Sequence, residues 1–124
     1  MSKKLSVGVI GVGGIARTHM PGWADSEFTE VVAAADIDAK ILGKFGQQHD
    51  LTSLYTDSYA LIASPEIDII DICTPNMYHE PLTIAALEAG KHVLCEKPLA
   101  PTPDAVQRMI EARDRSRLYN RLCI

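Results

Sequence analysis

Short apolar, β-branched stretches alternate along this chain with segments of helical spacing, and turn residues mark each change. The first strand is predicted over Leu5–Ile10 and runs directly into a glycine cluster. A helix is expected from Ile15 to about Met20, with Pro21 and Gly22 marking a kink or an early stop. Val31–Asp36 reads as a second strand with an acidic end, Ala39–Gln48 as a helix, and Ser53–Tyr55 as a brief third strand. Asp57 or Ser58 can cap a short helix through Ala63, which Ser64 and Pro65 end. Asp68–Cys73 is a fourth strand, apolar on both faces except at Asp71. Pro81 suits the first turn of a helix reaching Ala89, and Gly90 suits the position just past its end. His92–Glu96 is a fifth strand. Thr102 as N-cap, Pro103 behind it and Asp104 in the first turn open a last helix to about Arg115.

Strands alternating with helices imply parallel pairing through crossovers. The right-handed crossover rule then favours an α/β doubly wound parallel sheet with helices on both faces, in a single domain. We place that domain over residues 1–116 and read 117–124 as an atypical tail able to form a makeshift edge strand.

The glycine cluster carries chemistry. Gly11-Val12-Gly13-Gly14-Ile15-Ala16 is G-x-G-x-x-A, placed after a strand and opening a helix. In such a loop Gly11 allows the tight turn, Gly13 lets the backbone approach a pyrophosphate, and Ala16 permits close helix–strand packing. The free N–H groups at the helix start would hold the phosphates. Asp36 lies about 20 residues further on, at the end of the second strand, where the dinucleotide fingerprint wants an acid. Its carboxylate can accept hydrogen bonds from ribose hydroxyls and would repel a 2′-phosphate, so NAD is favoured over NADP. Asp38 is a rival for that role. A methyltransferase-type nucleotide site is the competing use of a glycine-rich first loop.

The second half adds specificity. Asp68–His79 and Ala89–Pro98, taken with Gly11–Ala16, resemble the Gfo/Idh/MocA oxidoreductases, the group of glucose–fructose oxidoreductase and inositol 2-dehydrogenase. The resemblance implies a Rossmann domain and a hydride transfer between a nicotinamide and a sugar or polyol hydroxyl. It further implies that Thr74, Pro75 and Asn76 line the nicotinamide ribose side and that His79 shapes their loop. Glu96 and Pro98 would frame the nicotinamide pocket. Lys97 would be the catalytic lysine at the reacting hydroxyl, where an ammonium can stabilise a developing alkoxide or relay its proton. The bond joining Lys97 to Pro98 is a candidate for cis geometry on the same resemblance. A non-catalytic NAD(P)-sensing or interaction module is the alternative within this family, and biliverdin reductase is among its enzymes with other substrates.

Composition narrows the partners. Twelve Lys and Arg against 16 Asp and Glu give a net charge of −4, which offers nucleic acid no positive field. The arginines near the end alternate with acids and read as a solvated helix face. Apolar runs fall short of a membrane span, and no secretory leader is evident. Three scattered cysteines (Cys73, Cys95 and Cys123) suggest buried thiols in a reducing cytoplasm. His19, His49 and His92 show no ligand spacing, so no metal is expected, and Trp23, Tyr55 and Tyr59 are assigned to packing. The family's second, substrate-binding domain is not represented before Ile124, so the chain alone is expected to be inactive. Its exposed sheet edge is expected to drive self-association, as a symmetric dimer.

Overall fold

A computed structural model describes residues 4–96 and 100–116 together with the backbone of 122–123. Six parallel strands form one sheet: β1 Leu5–Ile10, β2 Thr29–Ala35, β3 Ser53–Tyr55, β4 Ile69–Ile72, β5 His92–Cys95 and β6 Leu122–Cys123. Five helices connect or flank them: α1 Gly14–Asp25, α2 Ala39–Gln48, α3 Ser58–Ile62, α4 His79–Glu88 and α5 Pro103–Arg115. A 3-10 turn at Asn76–Tyr78 leads into α4.

The strand order is β3-β2-β1-β4-β5-β6. The chain therefore winds outward from β1 in one direction and then returns to wind outward in the other. The reversal falls between β1 and β4, whose carboxyl ends open the crevice where such sheets bind ligands. Register fixes what faces each side: Val7 pairs with Ile69, Val9 with Asp71 and Ile10 with Ile72.

Side-chain alternation splits the core in two. Val7 and Val9 of β1, Ala34 of β2 and Cys73 just past β4 pack with Ala16 and Met20 of α1 and Leu42 and Phe45 of α2. Ile10, Ala33, Ala35, Ile70, Ile72 and Val93 face the other way, against Leu61, Leu82, Leu87 and Met109 of α3, α4 and α5. Each fully buried Ile or Leu contributes about 1.5–3 kcal/mol of transfer free energy. Asp71 belongs to the α1 side and is fully buried there.

The expected caps form. Thr102 accepts the N–H of Ala105, and Asp57 accepts that of Tyr59. Gly90, at φ +82°, follows the last turn of α4. One expectation fails: α1 does not stop at Pro21 but continues to Asp25. Proline costs α1 one internal hydrogen bond. Burial of Met20 and packing of Trp23 on the β1–β2 face carry the helix through it. The sequence also concealed a buried lysine. Lys91 donates to the carbonyls of Ser64 and Ile67, 2.6 Å each, and so ties the segment leading into β4.

Candidate dinucleotide site

The phosphate loop begins where β1 ends. Gly11 donates to the Ala35 carbonyl at 2.8 Å and adopts φ +86°. A Cβ on Gly11 would lie 3.0 Å from the Cys73 carbonyl carbon and oxygen and from Thr74 Cγ2. Glycine is thus required twice, by backbone conformation and by the close approach of the β4 exit. Gly13 and Gly14 differ, since a Cβ on either would meet no heavy atom within 4 Å. Gly13 is the N-cap of α1 and has no side chain with which to cap it. A helix leaves its first-turn N–H groups without intrahelical partners, and beside the open space at Gly13 and Gly14 they are the donors a pyrophosphate needs. Ala16 is fully buried beneath them, as its packing role demands.

Asp36 is the second component. Its Oδ2 accepts the Val12 N–H at 3.0 Å, and its Oδ1 accepts the Asp38 N–H at 2.8 Å. The acid therefore braces the loop as well as standing at the end of β2. Each carboxylate oxygen retains a further acceptor site for a ribose hydroxyl. Val12 spends its N–H on Asp36 and its side chain on the α1–α2 core, so it shapes the loop from below. Asp38 lines the same cleft, and its Oδ1 caps α2 by accepting the N–H groups of Lys40 and Ile41.

The third component is the β4 exit. His79 is buried at the start of α4, and its Nε2 donates to the Thr74 carbonyl at 2.9 Å. Thr74 Oγ1 is buried with no hydrogen-bond partner among the described residues, a polar atom left for a ligand or water to satisfy. Gly11, Asp36, Thr74 and Pro75 line one cleft of about 610 Å³, with Ile37, Tyr59 and Tyr78 supplying apolar surface. Asn76 opens the 3-10 turn beyond it, exposed. Exposed Ile15 flanks the loop in the first turn of α1. A second hollow of about 690 Å³, near Gly90 and Arg115, is remote from every one of these groups.

Glu96 lies just past β5 and makes a contact that the sequence did not suggest. Its Oε2 is 2.7 Å from His19 Nε2, and His19 Nδ1 lies 2.9 Å from Asp71 Oδ2. Trp23 Nε1 donates to the same Asp71 oxygen at 2.7 Å. His19 and Trp23, four residues apart on one face of α1, thus do more than pack. Their signal in the sequence was Asp71, the single acid in an otherwise apolar strand. Lys97 and Pro98, with the peptide bond between them, lie outside the described residues.

The sequence profile described as the oxidoreductase family's NAD-binding Rossmann fold matches residues 5–119. The chain belongs to the Gfo/Idh/MocA oxidoreductase family. It is 36% identical over 110 residues to an inositol 2-dehydrogenase of Pseudomonas savastanoi pv. phaseolicola, covering 87% of this chain and 33% of that protein. It is 32% identical over 114 residues to a D-apiose dehydrogenase of Paraburkholderia graminis, covering 92% and 30%. The chain thus spans about a third of the length of these relatives. Among solved structures, a levoglucosan dehydrogenase in complex with NADH superposes with TM-score 0.83 at 28% identity, covering 97% of this chain and 34% of that one. A biliverdin reductase from Synechocystis sp. PCC 6803 in complex with biliverdin and NADP+ superposes with TM-score 0.86 at 27% identity, covering 95% and 37%. Both nicotinamide dinucleotides thus occur on this fold.

Proposed function

We propose that these residues form the cofactor-binding part of a dehydrogenase that oxidises a sugar or polyol hydroxyl, with NAD as its cofactor. Asp36 carries the choice of cofactor. Its carboxylate is held by the phosphate loop beside the cleft, where it can receive ribose hydroxyls and would repel a 2′-phosphate. The open hollow above Gly13 and the unpartnered Thr74 hydroxyl fit such a ligand.

In this reading the N–H groups at the start of α1 hold the pyrophosphate, and Thr74, Pro75 and Asn76 line the nicotinamide ribose. His79 fixes their loop from below. Glu96 and Pro98 frame the nicotinamide, and Lys97 contacts the reacting hydroxyl, stabilising negative charge on its oxygen or taking up its proton. The bound nicotinamide supplies the hydride chemistry.

The sugar and polyol dehydrogenases among its relatives support the substrate class. No helix of the described residues is long and apolar enough to cross a membrane. We place the protein in the cytoplasm and propose a homodimer in solution, for which sedimentation of a strict monomer at high concentration would be the refutation.

Calorimetric titration with NAD and NADP tests the cofactor directly. NAD is expected to bind more tightly. Absence of binding by either at about millimolar concentration, an affinity of only about −4 kcal/mol, would reject the reading.

A further inference from the structure

Asp71 is the one fully buried carboxylate among the described residues. Alternation along β4 turns it toward α1 while Ile70 and Ile72 turn toward α3–α5. A buried carboxylate persists only when paired, and this one is. It accepts from the Trp23 indole, lies 2.9 and 3.0 Å from His19 Nδ1, and receives the Cys73 thiol at 3.4 Å.

The second nitrogen of His19 decides the matter. A neutral imidazole carries one N–H and one lone pair. Here both ring nitrogens face carboxylate oxygens, Asp71 on one side and Glu96 on the other. A neutral ring would set a lone pair against one of them. The imidazolium satisfies both with charge-assisted bonds. Burial alone would lower the pKa of His19, but the hydrogen bonds and charges of Asp71 and then Glu96 outweigh it and raise it. Other titratable groups nearby are the thiols of Cys73 and Cys95. Burial first, then the neighbouring acids, keep them neutral, Cys95 being pushed up to about 11. On losing its proton, His19 would keep the N–H toward Asp71, which is the more buried acid. The contact given up is then the one to Glu96.

We propose that the His19 imidazolium, anchored by Asp71 and Trp23, is a positioning residue that pins Glu96 at the exit of β5, so that one proton gates dinucleotide binding. The gating rests on the NAD reading above; the pin itself does not. It joins three elements at one point: α1, which carries the phosphate loop, β4, and the segment entering Lys97. His19, Asp71 and Cys73 also place donor atoms within 4.8 Å of one another, a spacing that could hold a metal ion. A metal would need the Nδ1 lone pair and a Cys73 thiolate, whereas Nδ1 is engaged by Asp71 and the thiol is held neutral.

The test uses the full chain labelled with ¹⁵N. Histidine side-chain spectra are followed from about pH 5, the lower end of the ordinary histidine range, up to about pH 9, because the pKa of His19 is raised. His19→Gln assigns the resonance, and Glu96→Gln, at a partly exposed position, serves should the first variant fold poorly. Both His19 nitrogens are expected to be protonated at neutral pH and to titrate above 6.5. In Glu96→Gln that titration should move down. NAD affinity should weaken roughly three- to tenfold as His19 deprotonates, and this step should vanish in Glu96→Gln. A purely structural role would alter melting without a pH step that tracks His19. A neutral His19 at pH 7, an unchanged step in Glu96→Gln, or stoichiometric zinc capture that shifts the His19 signals would each overturn the proposal. If NAD binds at no pH, the gating fails with the cofactor reading, while a doubly protonated His19 that responds to Glu96→Gln still upholds the pin.

Discussion

Alanine at Gly11 and alanine at Gly13 should fail in opposite ways. At Gly11 the backbone sits at φ +86°, where an L-residue with a Cβ costs about 1–2 kcal/mol. The new methyl would also stand 3.0 Å from the Cys73 carbonyl, which belongs to the β4 exit rather than to a flexible side chain. Relieving that contact costs about another 1–2 kcal/mol, within the range for overpacking. Gly11→Ala should therefore lose about 2–4 kcal/mol, an apparent melting shift of roughly 10 °C for a domain of this size. At Gly13 the backbone is extended at φ −80° and a Cβ meets nothing within 4 Å. Gly13→Ala should cost no more than about 1 kcal/mol, because alanine is a poorer N-cap than glycine while nothing obstructs its methyl. It should nevertheless weaken NAD about tenfold or more, because the methyl occupies the pyrophosphate's approach. Urea unfolding and calorimetry on both variants measure this. A Gly11→Ala variant as stable as the parent, or a Gly13→Ala variant that binds NAD normally, would refute these roles.

Removing the acid by Asp36→Ala should weaken NAD about tenfold and narrow its advantage over NADP, as calorimetry with both cofactors would read out. Asp71→Ala leaves the Trp23 indole and the His19 ring without their buried acceptor and should cost about 3 kcal/mol or more in urea unfolding. The chain has a single tryptophan, so fluorescence reports the same event. Because the folded pKa of His19 is raised, its contribution to stability is complete below about 6.5 and is lost as pH rises through the folded value. The urea midpoint should thus fall on the alkaline side, and fall less in Glu96→Gln. Arg108→Ala, which breaks a solvent-exposed pair with Glu80, should leave the melting midpoint within experimental error.

Elements governed by near neighbours in the chain were legible before any coordinates. Thr102 with Pro103 and Asp57 announced helix starts, and Gly90 announced a helix end, because caps and turns depend on residues within one turn. The phosphate loop was equally plain, since a strand, the glycines Gly11, Gly13 and Gly14 and a helix start all lie within a dozen residues. Asp36 needed only its distance along the chain to be placed at the end of β2. The extent of α1 was not local: Pro21 pointed to a stop, and the burial of Met20 and packing of Trp23 against the sheet overruled it.

Short-range patterns along the chain specify a doubly wound sheet with a dinucleotide loop at its centre, because period, caps and glycine positions are properties of short segments. The meeting of His19, Asp71 and Glu96 comes from long-range packing. Fifty-two residues separate the first two and seventy-seven the outer pair, and no local pattern connects them. Only the parallel pairing of β1, β4 and β5 beneath α1 brings an imidazole between two carboxylates. A histidine without ligand spacing in the chain thereby links the acid of β4 to the acid at the exit of β5.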